Sequence, residues 1–288
     1  MIKACEDEYM MSEHRIIFGD SRNMSGVDDE SVHFVVTSPP YWCIKDYDHP
    51  AQIGRNQSYD QYLADISKVI NECYRVLHKG CRLAINIGDQ YLRAAEHGNY
   101  RIQPIQADII KIGQSIGFDF MGNIIWQKVS TTHTTGGGQW MGSIYFPKDG
   151  HITYEHEYIL IFRKEGKWPK PTKEQRERSR LTKEQRSEWF RGIWKISPER
   201  QNGHQAMFPL ELPRRLIKMY SFYGETVLDP FLGSGTTCLA ARLEGRNSIG
   251  YEINEDFEDI IRDKLGIKSP QLFSEATVTF EHERINKL

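Results

Sequence analysis

The sequence predicts an α/β fold in which a largely parallel sheet is covered by helices on both faces. The first observation is a set of short runs of β-branched and aromatic residues, each bounded by turn residues, which is typical of buried strands. The second is that longer segments with apolar residues at helical spacing alternate with those runs. The third is the length, because 288 residues suffice for one large domain with an insertion, or for a domain with a small appendage.

The individual strands and helices are predicted from the period of the apolar residues. Between residues 62 and 77 they recur at helical spacing, which predicts a helix with one face in the core. Gly80 stands where the C-cap of that helix is expected, and Gly117 follows a second helix. The predicted strands are 15–18, 32–36, 83–87, 124–126, 158–162, 226–228 and 248–251. The other predicted helices are 105–116, 210–220, 236–243 and 255–265.

The composition limits the class of protein. The five cysteines are odd in number and scattered, without the paired spacing of a metal site, so a reducing, cytoplasmic location is expected and no metal is predicted. No apolar stretch approaches the roughly 20 residues of a membrane span. The N-terminus lacks the pattern of a signal peptide. We therefore expect no association with a membrane.

One segment differs from the rest in charge. Residues 163–200 hold thirteen Lys or Arg and six Asp or Glu, whereas the whole chain has a formal net charge of -2. A basic segment in an otherwise acidic protein suggests that one face of the protein binds a polyanion. The alternative is that the segment is only a solvated helical surface. The chain is accordingly divided into residues 1–162, a basic insertion at 163–200, and residues 201–288.

A glycine turn follows the strand predicted at 226–228. Residues 229–237 are Asp-Pro-Phe-Leu-Gly-Ser-Gly-Thr-Thr, a strand end followed by a glycine turn and a helix start. Gly233 and Gly235 allow the torsions and close approach that a loop under a nucleoside-bearing cofactor requires. No Lys follows these glycines, which argues against a triphosphate-binding loop. Glu252 ends the next strand, where a carboxylate can accept hydrogen bonds from ribose hydroxyls.

A second polar segment ends another apolar run. Residues 37–42 are Thr-Ser-Pro-Pro-Tyr-Trp. They combine a hydroxyl, a backbone held rigid by two prolines and an aromatic ring just past a strand. We interpret this segment and the glycine turn as the two halves of one active site.

Together the two segments resemble the paired motifs of the DNA amino-methyltransferases. The catalytic motif precedes the cofactor motif, with the basic segment between them, and this order is similar to the β group of that family. The resemblance covers roughly residues 15–265. It implies a Rossmann-like methyltransferase fold, S-adenosylmethionine as cofactor and double-stranded DNA as substrate. A non-catalytic DNA-binding regulator with a relic cofactor pocket is the alternative from another class.

The resemblance also implies the cofactor contacts. Glu252 is expected on the ribose and Asp20, after the first strand, on the adenine, although Asp20 could equally cap a turn. Phe208 and Pro209 resemble an additional cofactor motif. The residues expected beside the methionine part are Asp229, Phe231, Gly233, Ser234, Gly235 and Thr236.

The catalytic segment suits chemistry at an exocyclic amine. Such an amine is a poor nucleophile because its lone pair is delocalised into the ring. Acceptors fixed at the nitrogen take its hydrogen bonds as positive charge develops, and they act most strongly in the transition state. The Ser38 hydroxyl and the Pro39 carbonyl can be those acceptors, with Pro40 stiffening the turn. Tyr41 offers a ring for a base flipped out of the duplex.

Ser38 bears on which base is modified. Adenine-modifying members of the family usually carry Asp or Asn at this position, and Ser is more typical of the cytosine-N4 enzymes. We therefore expect N4-methylcytosine as the product, with adenine-N6 methylation as the alternative. The chain contains no Pro-Cys pair, so a cysteine nucleophile of the kind that methylates a ring carbon has no candidate.

The basic segment is the main candidate for DNA contact. Residues 131–140, within a polar loop predicted at 129–153, are the second candidate. The family also implies a restriction endonuclease acting on the same site as a partner, and the enzyme could be a monomer or a homodimer. The expected DNA-binding residues are Arg176, Arg178, Arg180, Lys183 and Arg186.

Overall fold

The structure, a computed structural model, describes most of the chain. The described residues are 12–43, 49–128, 141–142, 146–148, 150–152, 154–197, 199–201, 204–207, 209–267 and 276–283. Two expectations, those on residues 131–140 and on Phe208, lie outside them.

Nine strands of the described residues form one sheet. In their order across it they are β10 (Ile193–Ile196), β6 (Phe118–Lys128), β9 (His156–Lys164), β3 (Leu77–Ile87), β2 (Val32–Thr37), β13 (Thr226–Asp229), β14 (Asn247–Glu252), β1 (Ser12–Phe18) and β15 (Ala276–His282). Within it, β9 runs against its neighbours β6 and β3, and the other pairs are parallel. Smaller pairs are β4 (Gln90–Leu92) with β5 (Arg101–Gln103), β7 (Met141–Gly142) with β8 (Gly150–His151), and β11 (Glu199–Gln201) with β12 (His204–Met207).

The helices cover both faces of this sheet. They are α1 (Tyr59–Val76), α2 (Ala94–His97), α3 (Ile105–Ile116), α4 (Lys173–Arg178), α5 (Lys183–Trp189), α6 (Glu211–Tyr220), α7 (Thr236–Leu243) and α8 (Glu258–Lys264), with a 3-10 turn at Glu255–Phe257. Among the described residues, none of the helices is both long and apolar enough to cross a membrane.

The central strands pack on both sides because successive side chains point to opposite faces. Val35 of β2 belongs to the core cluster that includes the apolar faces of α1 and α3. Phe34 and Val36 belong to the cluster that includes α6 and α7. The predicted α/β fold with a mostly parallel sheet is therefore confirmed, and its near-continuous apolar strands follow from burial on both faces.

The end of α1 differs from the prediction. The helix ends at Val76, and Leu77 is already extended, with φ -74° and ψ 132°, as the first residue of β3. Gly80 is not a C-cap but lies inside β3 with φ +77°. A Cβ at Gly80 would stand 2.4 Å from the backbone nitrogen of Trp168. Glycine is needed there because another part of the chain passes against the strand.

Two edge strands were missing from the prediction. β15 comes after the last predicted helix, although residues 277–280, Thr-Val-Thr-Phe, alternate in the manner of a strand. β10 lies within the segment predicted as a basic insertion and pairs with β6. That part of the segment is built into the main sheet.

The parallel order brings several strand ends together. β1, β2, β13 and β14 are neighbours that all run the same way. We call the end of the sheet where they finish the carboxyl edge and the opposite end the amino edge. Crevices at the carboxyl edge are where open α/β sheets bind ligands.

Candidate active site

The two motif segments meet at Asp229, the last residue of β13. Its Oδ1 accepts hydrogen bonds from the Thr37 hydroxyl at 2.7 Å and from the Phe231 backbone N–H at 3.0 Å. Its Oδ2 accepts one from the Thr237 hydroxyl at 2.6 Å. The side chain is buried, and this burial raises the pKa of the carboxyl. Because Thr37 directly precedes Ser38, one carboxylate joins the catalytic segment to the glycine turn and to α7.

The glycine turn is held by Glu252 from the neighbouring strand. Gly233 and Gly235 have φ values of +54° and +87°, which L residues with side chains rarely adopt. The Gly233 N–H donates to Glu252 Oε2 at 2.8 Å, and the Asn254 N–H donates to Oε1 at 2.9 Å. Burial raises the pKa of Glu252. A Cβ on Gly233 would meet no atom within 4 Å, so the space beside the turn is open.

A cavity opens between the two segments at the carboxyl edge. It brings together the predicted residues Asp20, Ser38, Pro40, Asp229, Phe231, Gly233, Ser234, Thr236 and Glu252. Residues that the sequence prediction missed also line it, among them Gln52, Ile53, Tyr251, Ile253 and Phe257. Ile253 could have been found from the sequence, because it directly follows Glu252 at the end of β14.

Other predicted residues lie close by but support the walls. Gly235 precedes α7 and allows its tight start. Pro209 is buried ahead of α6, and its carbonyl accepts the Leu212 N–H at 3.0 Å. Pro39 is buried within the catalytic segment, between the half-buried residues Ser38 and Pro40. The cofactor contacts predicted for Gly235 and Pro209 stay predictions.

Asp20 lies in the cavity wall and also caps a turn. Its Oδ1 accepts the Arg22 backbone N–H at 3.0 Å, and its Oδ2 lies 2.6 Å from Arg22 Nη2. Arg22 bridges onward to Asp65 of α1, with Nη1 2.6 Å from Oδ2. Both sequence interpretations of Asp20, as a turn cap and as a residue at the cofactor cavity, fit this position.

Two hydroxyls of the glycine turn contact a lysine that the sequence prediction missed. Lys264 Nζ donates to Ser234 Oγ at 2.5 Å and to Thr236 Oγ1 at 2.9 Å. Lys264 lies in the last turn of α8, so this helix supports the turn from outside the motif. No local pattern identifies such a contact, because the residues are about 30 positions apart.

The catalytic segment is fixed from the side of α1. The Tyr62 hydroxyl donates to the Pro40 carbonyl at 2.9 Å. The Trp42 indole N–H donates to the Gln57 carbonyl at 3.0 Å, and Trp42 itself has φ +51°. The Pro40 carbonyl is thus engaged inside the protein, which leaves the preceding carbonyl, that of Pro39, as the better candidate for accepting from a substrate amine.

Tyr41 belongs to a partly buried polar network that the sequence prediction also missed. Its hydroxyl donates to Glu157 Oε2 at 2.8 Å, and Asn86 Nδ2 lies 2.8 Å from the Tyr41 hydroxyl and 2.7 Å from Glu157 Oε2. Lys128 forms an ion pair with the other Glu157 oxygen. The one sequence signal was Asn86, a polar residue inside an apolar strand. We call Tyr41, Asn86, Lys128 and Glu157 the Glu157 network.

The basic residues predicted to bind DNA lie away from this cavity. The Arg178 guanidinium stacks 3.5 Å from the centre of the Tyr223 ring, and the Tyr223 N–H donates to Ser179 Oγ at 2.7 Å. Tyr223 precedes β13, so α4 lies at the amino edge. The structure therefore does not bring these five basic residues to the catalytic segment. Arg176, Arg178 and Arg180 are exposed on or beside α4, and Lys183 and Arg186 are exposed on α5.

A family model, a sequence relative and a solved structure agree on the family of this chain. The model of a family described as DNA methylase matches residues 32–263. The Type II methyltransferase M.MjaI of Methanocaldococcus jannaschii is 39% identical, over 93% of this chain and 96% of that protein. The protein TTHA0409 of Thermus thermophilus, solved in complex with S-adenosyl-L-methionine, is 37% identical, with a TM-score of 0.73 over 92% of this chain and 99% of that one.

A more distant structure shares the fold. The cytosine-N4-specific PvuII DNA methyltransferase has a TM-score of 0.61 at 20% identity, over 95% of this chain and 96% of that one. At this identity the likeness concerns the fold alone.

Proposed function

Because this chain belongs to the DNA methylase family, within its β group of amino-methyltransferases, we propose that it methylates the N4 amine of cytosine in duplex DNA. The coarser activity, S-adenosylmethionine-dependent methylation of DNA, follows from the family. The choice of cytosine depends on Ser38, since the adenine-modifying members usually carry Asp or Asn there.

The observation that carries the proposal is the junction at Asp229. Its carboxylate bonds Thr37 on one side and Thr237 on the other, so Ser38 and the glycine turn line one cavity. A methyl donor held on the turn and an amine held at Ser38 would thus share that space. This is what direct transfer between two bound groups requires, because correct relative placement supplies much of the rate.

The residues of the cavity fit S-adenosylmethionine. The open side of Gly233 leaves room for close approach, and Glu252 keeps carboxylate lone pairs for a ribose diol beyond the backbone N–H groups that it accepts. Phe257 and Ile253 provide apolar walls for the adenine, with Asp20 at the margin. When bound, S-adenosylmethionine supplies an electrophilic methyl group.

The catalytic segment performs the remaining work. Ser38 Oγ and the Pro39 carbonyl accept hydrogen bonds from the target amine as its nitrogen becomes tetrahedral and positive, and the methylated nitrogen then releases one proton to solvent. Tyr41 stacks on the flipped base and offsets part of the cost of unstacking. The protein therefore acts by orientation and by hydrogen-bond acceptors that matter most in the transition state.

We also propose that the enzyme is the modification partner in a restriction system. This rests on its relatives, since M.MjaI is a Type II methyltransferase aligned over nearly its whole length. A cognate endonuclease would cut the same site when it is unmethylated. Either a monomer or a homodimer is compatible with methylation of a short palindrome.

The test is to incubate the protein with labelled S-adenosylmethionine and DNA of mixed sequence, digest the DNA to nucleosides, and identify the labelled nucleoside by mass spectrometry. We expect label in N4-methylcytosine. Label in N6-methyladenine would establish the adenine alternative. Cofactor binding without turnover on any DNA would favour a non-catalytic regulator.

A further inference from the structure

The donors and acceptors of the Glu157 network can be assigned from its hydrogen bonds. If the Asn86 amide were flipped, its oxygen would face the Glu157 carboxylate, and two acceptors would oppose each other. Nδ2 must therefore face Glu157 and Tyr41. Nδ2 also lies 3.4 Å from Ser38 Oγ, a longer contact than those to Tyr41 and Glu157, so its two hydrogens go to the two nearer residues. Tyr41 has a single hydroxyl hydrogen, and the 2.8 Å contact gives it to Glu157.

This assignment fixes the Ser38 hydroxyl as well. Ser38 Oγ lies 3.3 Å from the Tyr41 hydroxyl, a long hydrogen bond in which either atom could donate by geometry alone. Because the Tyr41 hydrogen is committed to Glu157, Tyr41 can only accept in this contact, and a hydrogen bond here has Ser38 as its donor. In this bond the Ser38 hydrogen points toward the Tyr41 hydroxyl, and the Ser38 lone pairs remain as acceptors at the cavity that Ser38 lines.

The ring of Tyr41 is held by the same contacts. Its hydroxyl is anchored at Glu157, and its Cε2 lies 3.2 Å from the position that a Cβ on Gly88 would take. The ring thus packs against a backbone that carries no side chain. The charge on Glu157 is offset by the ion pair with Lys128, so the buried carboxylate is partnered on both oxygens.

We propose that Glu157 is a positioning residue for methyl transfer, acting through Tyr41 and Ser38. The inference rests on the proposed function. Glu157 presets the Tyr41 ring for the flipped base and turns the Ser38 hydroxyl so that it accepts from the amine rather than donates to it. The residue touches neither substrate nor cofactor, and its effect is on the rate of the chemical step.

The test is a double-mutant cycle with Glu157→Gln and Tyr41→Phe, measuring kcat and KM for duplex DNA and calorimetric Kd for S-adenosylmethionine. Each single change should lower kcat by about tenfold, since small misplacements of reacting groups are costly. The cofactor Kd should stay as in the wild type. The double variant should lose no more than about tenfold, because both changes interrupt one chain of hydrogen bonds.

Two further variants complete the design. Glu157→Asp keeps the charge beside Lys128 but withdraws the carboxylate from Tyr41, so it should show the same loss in kcat even if Glu157→Gln does not fold. Glu225→Gln is the control, because Glu225 is also a buried carboxylate that accepts a backbone N–H, that of Phe222 at 2.6 Å, but at the amino edge. It should leave kcat unchanged.

The outcomes separate this inference from the proposed function. Losses in kcat that multiply in the double variant, or a wild-type kcat in both Glu157 variants, would overturn the positioning role alone. A wild-type protein that binds S-adenosylmethionine and methylates no DNA would overturn the proposed function and this inference with it.

Discussion

At the scale of single residues, Asp229 is the side chain on which the geometry of the site depends most. Asp229→Asn keeps its size but turns an NH2 group toward a donor, so one buried partner loses its acceptor. We expect the free energy of unfolding, measured by urea denaturation, to fall by about 1–3 kcal/mol, and the affinity for S-adenosylmethionine to fall with it. Asp60→Asn, at an exposed position in α1, is the control. Equal stability of both variants would mean that the junction does not hold the segments together.

Glu252 offers a test of the cofactor pocket. Glu252→Ala removes the acceptor proposed for the ribose diol and the acceptor of the Gly233 N–H. Calorimetry should therefore show weaker binding of S-adenosylmethionine, while DNA affinity measured without cofactor stays the same. Glu258→Ala, a nearby change in an ion pair with Arg262 on α8, should leave both affinities unaltered. An unchanged cofactor affinity in Glu252→Ala would place the pocket elsewhere.

The ionisation of His14 is expected to make the free energy of unfolding depend on pH. Burial, and secondly the charge of Arg242, lower the pKa of this histidine from 6.5 to about 4. Its ring contacts Ser248 Oγ at 2.7 Å and Ser12 Oγ at 3.0 Å. Since the unfolded chain takes up the proton first as pH falls, His14 contributes stability that is fully present above pH 6.5 and is lost progressively toward pH 4.

The check on His14 is the slope of unfolding free energy against pH in that window. His14→Gln should reduce the slope by up to about 1.4 kcal/mol per pH unit. A substitution at the exposed residue Asn99 should leave the slope as in the wild type. Identical slopes in His14→Gln and wild type would show that His14 titrates normally in the folded protein.

At the scale of elements, substitutions in and beside α4 test whether the basic insertion contacts DNA. The charge pattern predicted this contact, but α4 lies at the amino edge and Ser38 at the carboxyl edge. We therefore expect changing Arg176, Arg178 and Arg180 together to Ala to leave the slope of log affinity against log salt unchanged. Loss of three phosphate contacts would instead reduce its magnitude by about 2.7, at about 0.9 for each contact.

A matched comparison is available at the other edge. Arg93 and Arg101 are exposed in and beside the β4–β5 pair, which follows the carboxyl end of β3. Their double change to Ala should flatten the salt slope if the duplex lies over the carboxyl edge. If the salt slope became flatter in the α4 variant but not in the Arg93 and Arg101 variant, the basic insertion would be the DNA-binding surface after all.

The elements that the sequence predicted well are those with a strong local period. The apolar spacing from residue 62 onward identified α1, and the apolar runs identified β2, β9 and β14. Gly80 was misassigned because glycine also permits another segment to approach a strand, and only the fold shows that residues 166–168 do so. The edge strand β10 was missed because it has only four residues and lies in a segment dominated by charged residues.

At the scale of the whole molecule, the site was predictable as far as its motifs are continuous in sequence. Ser38, Gly233 and Glu252 lie in short segments whose chemistry can be inferred locally, and they line one cavity. Glu157, Asn86 and Lys128 could not be placed, because only the order of β3, β9 and β6 in the sheet brings them to Tyr41. The charge count of residues 163–200 indicated an exposed surface but not the edge of the sheet on which it lies.

The central claim is that one cavity, formed by both segments, transfers a methyl group to a cytosine amine accepted by Ser38. The most direct test is single-turnover methylation of duplex DNA by wild type and by Ser38→Ala, with S-adenosylmethionine affinity measured alongside. We predict labelled N4-methylcytosine from the wild type, and a rate lower by about 10²–10³ in the variant at unchanged cofactor affinity. An equal rate in Ser38→Ala would contradict the claim.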